Sequence, residues 1–324
     1  MIVNAGGADG GSAKIKLSVA TQPTKTTYIV GETIDLTGCV ITFGIGGALS
    51  TDVTNLCTFS PSAGTTVYGD TTEILVTYVA DGKTYTVSIP ITVTVVSFAS
   101  GTESEIKAML DAYYANKLAW EDMGWEVGNT RKWHLNAMQA PNPNSSNTWA
   151  AQDITIVITG HEKEDLEMPI NGHTKACISV QCRECMNNGS GSDGTNGIYV
   201  NGDSSYDTTF TKWLNLYMRT YLNDTVYGAM PSGDFKSAIK TAKHNRLTTN
   251  GNDPMTANTT DGSKTVRTTE SVTDKVFLYS YTQICGNTRY SYYLGGAIPN
   301  SEEGEQLDYF KTASNRIKNG NNNG

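Results

Sequence analysis

Hydrophobic positions along this chain change period several times, and each change marks an element. Lys14–Val19 alternates, with Ile15 and Leu17 set between polar neighbours, the pattern of a half-buried strand. In the run PTKTTYIVGETIDLTGCVITF, Gly31 and Gly38 separate further short strands. Thr72–Val79 and Lys83–Val95 flank Asp81-Gly82, a strong signal for a two-residue hairpin turn. Short strands at this density predict a small all-β sandwich over residues 14–97.

The period then becomes helical. Thr102 followed by Glu105 is a capping box, and Ile106, Met109, Leu110, Tyr113 and Lys117 recur on one face, which predicts a connector helix over 103–119 within a linking segment 98–119. ITIVIT at 154–159 reads as a strand, and residues 187–209 carry almost pure loop chemistry. Phe210, Trp213, Leu214, Tyr217, Met218, Tyr221 and Leu222 form one helical stripe, with Asp207 as N-cap and Asn223-Asp224 as exit. A second helical turn begins near Ser232, with Phe235, Ile239 and Ala242 on one face. Residues 247–271 are polar and Thr-rich, as in a flexible excursion, and DKVFLYSYTQIC is short and β-rich, as in a core strand. These segments make Trp213, Tyr217, Arg219 and Phe277 the structural core of a C-terminal domain. Arg219, opposite the apolar stripe, is expected to pin a neighbouring strand or loop through a charge-assisted hydrogen bond.

Composition narrows the function classes. The 324 residues suffice for two domains, and residues 1–13 are a Gly- and Ala-rich segment expected to be a flexible arm. A net charge of −8 without Lys/Arg clusters argues against a nucleic-acid partner. No run of about 18 apolar residues offers a membrane span. With Met1 in place and no charged-then-apolar leader, the expectation is a chain that does not use the secretory route.

Two resemblances add to this reading. Pro23-Thr24-Lys25-Thr26-Thr27-Tyr28-Ile29-Val30-Gly31-Glu32, then Asp35-Leu36-Thr37-Gly38 and the later ITVTV strand, resembles the bacterial immunoglobulin-like repeats of surface and phage structural proteins. That resemblance implies a spacer or adhesion platform with no catalytic residues. Residues 120–324 resemble the family called domain of unknown function 6273, through Trp125-Glu126-Val127-Gly128, Trp213 to Asn223, Asp274-Lys275-Val276-Phe277-Leu278 and Glu303 to Phe310. Leu216 departs from a small polar residue expected ahead of Met218-Arg219, and the chain stops at NRIKNGNNNG where members continue, so a truncated domain is expected. The implied fold is α+β and C-type-lectin-like or sulfatase-modifying-factor-like. The family's occurrence in phage tail-associated and gut-bacterial surface proteins implies a non-enzymatic virion structural protein. It would be an adhesin or fibre of the tail or baseplate, assembled in the host cytoplasm, homo-oligomeric, and facing other virion proteins or host surface glycans. A bacterial cell-surface adhesin or carbohydrate-binding module, and a capsid decoration or head fibre protein, are the alternatives.

Candidate chemistry is thin, and neither a catalytic group nor a cofactor is assigned. Cys177, Cys182 and Cys185, with distant Cys285, match an iron–sulfur spacing, but core or free thiols are the commoner explanation. A zinc site would draw on Cys182, Cys185 and His173 or His161. Cys39 and Cys57 are read as single core cysteines rather than a bridge. Asp193, Asp203 and Asp207 offer oxygen ligands without the spacing of a calcium loop. The acidic run Glu162, Glu164, Asp165 and Glu167 is expected to be a solvated loop. Trp133, Trp149 and Tyr290–Tyr293 could stack on sugars, although burial is the usual fate of each.

Overall fold

A computed structural model describes residues 14–45, 49–140, 148–183, 217–247, 269–279, 283–284 and 305–316. The expected N-terminal arm, Trp213 with the rest of residues 210–216 of the expected helix, most of the Thr-rich segment, Cys185, Cys285, Asp193, Asp203, Asp207 and Tyr290–Tyr293 lie outside these residues. The chain divides into two compact units, residues 1–96 and 97–324. Both are built on several small β-sheets, with few helices among the described residues.

In the first unit β1 (Lys16–Thr21), β2 (Thr27–Ile29), β3 (Val40–Gly44) and β4 (Ser50–Asp52) precede β5 (Thr58–Ser60), β6 (Glu73–Ala80), β7 (Lys83–Pro90) and β8 (Thr92–Thr94). They form sheets ordered β1-β3-β4 and β5-β6-β7, and β2 pairs in parallel with β8. Alternation places Leu17, Ile41, Ile74, Val76 and Ile89 in one shared core, with Phe43 edge-on to Tyr78 and Tyr85. Asp81 and Gly82 both have positive φ (49° and 72°), which makes the expected two-residue turn a type I′ hairpin pairing Ala80 with Lys83. Tyr28 is buried, so its hydroxyl needs partners. It donates toward the carbonyls of Lys25 (3.0 Å) and Asp35 (3.2 Å) and accepts from the Asp35 amide (3.2 Å), tying the loop after β2 to the core.

The second unit opens with α1 (Glu103–Tyr114). Both halves of the capping box form: the Glu105 amide donates to Thr102 Oγ1 (3.2 Å), and the Thr102 amide donates to Glu105 Oε2 (2.7 Å). Ile106, Met109, Leu110 and Tyr113 are buried, but the helix ends earlier than expected and Lys117 lies beyond it. The cause is Asn116, which takes φ 57° while its amide bonds to Tyr113 O and that of Lys117 bonds to Ala112 O, both at 2.9 Å. This is a Schellman stop with Asn in the position glycine usually holds.

After α1 come β9 (Thr130–Leu135), β10 (Met138–Gln139), β11 (Thr148–Trp149), β12 (Gln152–His161), β13 (Asp165–Ile170), β14 (His173–Lys175) and β15 (Ile178–Cys182). The ITIVIT run is the centre of β12, which lies between β15 and β9 and is buried for most of its length. β13 and β14 meet through Asn171-Gly172, a positive-φ pair. Trp133 and Trp149 are both buried, Trp133 edge-on to Phe235 at 4.9 Å.

The expected organising helix continues through Asn223-Asp224. α2 (Tyr217–Thr220) runs into a π-helical segment (Tyr221–Val226), then α3 (Tyr227–Ala229) and a short α4 (Asp234–Ala238) that buries Phe235. β16 (Ala242–Leu247) pairs with β17 (Thr269–Asp274), completing a sheet ordered β14-β13-β16-β17. Of the strand expected over 274–285, Asp274 ends β17 and residues 275–279 are not strand; residues 280–282 and 285 lie outside the described residues. Replacing Thr102 by Ala should remove one half of the α1 cap and destabilise the second unit by about 1 kcal/mol. Urea unfolding followed by a probe in residues 97–324 should show the midpoint lowered with an unchanged slope.

Candidate functional site: a polar cleft over a buried carboxylate

β17 ends in Asp274, whose side chain is 2% exposed. A carboxylate at that depth must be matched by donors, and three elements supply them. From α2, Arg219 Nε lies 2.8 Å from Asp274 Oδ1 while Arg219 Nη2 donates to Thr273 O at 3.1 Å. From the π segment, Asn223 Nδ2 donates to Asp274 Oδ1 at 3.1 Å. From β16, His244 Nε2 lies 3.0 Å from Asp274 Oδ2, and its Nδ1 lies 3.3 Å from Arg246 Nη2. This chain assigns the neutral Nε2–H tautomer of His244, since Nδ1 must accept from a guanidinium. Burial holds the His244 imidazole below its ordinary range; the Asp274 hydrogen bond opposes this, and the positive charge of Arg246 adds to it.

Asn223 also explains why β17 stops. Its Oδ1 accepts the amides of Lys275 (2.9 Å) and Val276 (3.3 Å), and its Nδ2 donates to Val276 O (2.9 Å). One side-chain amide thereby takes the backbone groups that a further strand partner would have taken. The π turn, which adds a residue to the helical repeat, carries Asn223 and Asp224 on this side; such turns are frequent at functional sites.

Over this network opens a cleft of about 350 Å³. It is lined by Thr220, Thr241 and Thr273, by the oppositely charged residues Asp224 and Lys275, and by Arg219, Asn223 and Asp274 of the network. Beside it, Lys275 Nζ lies 3.2 Å from the Tyr227 hydroxyl and 4.6 Å from the ring centroid, and Lys236 Nζ lies 4.8 Å from the same ring. Phe277 packs edge-on against His244 at 4.3 Å, and Tyr217 is half-buried.

The other sequence candidates separate. Glu164 is buried rather than solvated, with its Oε1 accepting from Gln283 Nε2 at 2.7 Å. Asp165 and Glu167 belong to β13, so the acidic run is only in part a loop. Cys39, Cys57 and Cys177 are thiols; burial raises all three, Cys177 most. His173 packs against Tyr113 at 4.5 Å, Cys182 closes β15, and among the described residues no three His, Cys, Asp or Glu side chains gather into a metal-binding group.

A second cluster had no sequence signal beyond an aromatic-rich stretch. Trp120, in a 3-10 turn (Trp120–Asp122), lies flat on His161, ring centroids 4.4 Å apart and planes 7° from parallel. His161 Nδ1 is 2.7 Å from Cys177 O. Glu162, at φ 50°, accepts from the Tyr113 hydroxyl at 2.5 Å and places its other oxygen 4.0 Å from His161 Nε2.

A family model described as Domain of unknown function (DUF6273) matches residues 196–324. It includes the α2–π segment, β16, β17 and the whole cleft, but begins well after residue 120 and leaves Trp120, His161 and Glu162 outside. No curated protein and no solved structure matches this chain.

Burial pushes Glu164 up to about 7 from its ordinary 4.5, with Arg246 opposing. The folded state then holds a proton that the unfolded state has released, so stability falls as pH rises from about 4.5 through about 7. This single group should account for about 3 kcal/mol of that fall. Glu164→Gln keeps an acceptor for Gln283 and should flatten that part of the stability–pH curve, measured by urea unfolding at a series of pH values.

Proposed function

We propose that this chain is a non-enzymatic structural protein of a phage virion, associated with the tail or baseplate, in which the first unit is an immunoglobulin-like spacer and the second a recognition domain. The carrying observation is how the cleft's polar groups are used. Asp274 is engaged by an ion pair with Arg219 and by hydrogen bonds with Asn223 and His244, Arg219 Nη2 donates to Thr273 O, and a neutral His244 is held between Asp274 and Arg246. The exposed lining residues are Thr220, Asp224 and Lys275, the last also 3.2 Å from the Tyr227 hydroxyl, groups suited to hydrogen-bonding a polar surface. Such a site holds and orients a partner rather than activating a nucleophile.

Two further features support the spacer half. The first unit has its own core, with alternating inward residues from facing sheets and parallel pairing of an early strand, β2, with the last, β8. Its sequence resemblance to immunoglobulin-like repeats agrees with that arrangement. The second unit, α+β and lectin-like in this reading, would meet host surface glycans or neighbouring subunits in a symmetric oligomer.

Tagging the gene in its native host and fractionating the lysate tests this directly. The chain should co-sediment with intact particles and, after their disassembly, with tail components. Recovery with the bacterial envelope would replace the reading with that of a cell-surface adhesin, and recovery with heads would make it a capsid decoration.

A further inference from the structure

We propose that Trp120, His161 and Glu162 form a saccharide-stacking subsite, separate from the cleft at Asp274. It rests on the recognition role proposed above and names its ligand class: a pyranose ring carrying free hydroxyls. The first observation is the platform. Trp120 is half-buried, and its indole lies flat on His161 at 4.4 Å and 7°, a stack that holds the ring in one orientation. Sugars present patches of C–H groups on their ring faces, and a rigid aromatic plane meets such a patch at little cost in side-chain entropy.

The second observation is the acceptor beside the platform. The Glu162 side chain is 47% exposed, yet one of its oxygens is fixed by the buried Tyr113 hydroxyl. The other points toward His161 at a distance too long for a direct hydrogen bond. Glu162 adopts a left-handed backbone conformation, which a non-glycine residue rarely holds. His161 is oriented in turn by the Cys177 carbonyl, and Tyr113 by its place on the buried face of α1. His161 thus links an aromatic plane, Trp120, to a carboxylate, Glu162; in hydroxyl recognition, stacking positions the ring and an acceptor selects a hydroxyl geometry. Trp133 and Trp149 are buried, the fate expected of them from the sequence, and are not available for this.

Saturation-transfer NMR on the full chain, with free N-acetylglucosamine, galactose and mannose as separate probes, tests the subsite. Transfer to the ring protons of at least one sugar is expected, with binding weakened on the order of tenfold in Trp120→Ala, retained in Trp120→Tyr and reduced in Glu162→Gln. If Trp120→Ala does not fold, Glu162→Gln decides: reduced binding supports the subsite and unchanged binding overturns it. Absence of transfer from all three sugars, or equal binding by a folded Trp120→Ala, also overturns it. Fractionation separates the two proposals: a particle-borne chain that ignores sugars loses only the subsite, and a sugar-binding chain absent from particles loses only the virion assignment.

Discussion

A buried carboxylate has to be neutralised by its surroundings, and much of the second unit's cleft region follows from how Asp274 is. Its partners come from three separate stretches: Arg219 on α2, Asn223 in the π segment and His244 on β16. Satisfying one side chain therefore fixes a helix against a two-stranded ladder. Removing one partner of such a buried pair typically costs about 3–5 kcal/mol, because the other charge is left without compensation. The π turn belongs to the same constraint, since Asn223 must reach both Asp274 and the backbone of Lys275 and Val276. The cleft lies over this junction, its rim set by the positions of Thr220, Asp224, Thr241 and Lys275.

The two polar regions of this unit are built differently. At the cleft, the buried carboxylate is neutralised internally, and the exposed lining residues are Thr220, Asp224 and Lys275. At Trp120, the rigid part is aromatic and a single carboxylate is held by a phenol. The first lies inside the stretch that the DUF6273 model matches and the second outside it.

Local signals were legible wherever the backbone itself dictates conformation. Asp81-Gly82 forms the predicted two-residue hairpin turn, Thr102 and Glu105 form the predicted cap, and ITIVIT lies in a buried central strand. Asn171-Gly172 is a second Asn-Gly-type hairpin signal in the sequence, and it too forms a positive-φ turn. Misplaced boundaries trace to side chains acting at long range. Asn223 resembles a helix exit, but its amide is used by a segment about fifty residues away, so the helix continues and β17 ends early. Glu164 resembles solvated charge, yet it is buried against Gln283. The Trp120–His161–Glu162 cluster joins residues some forty positions apart, which no spacing rule reveals.

The central claim is that the Arg219–Asp274 pair holds the α2–π segment to the β16–β17 ladder. A double-mutant cycle with Arg219→Met, Asp274→Leu and the double variant, followed by urea unfolding, measures it most directly. The account predicts that each single change is strongly destabilising, that the double variant recovers much of the loss, and that the coupling is about 2 kcal/mol or more. Additive single effects would contradict it and would place the hold of helix on sheet in the surrounding apolar contacts.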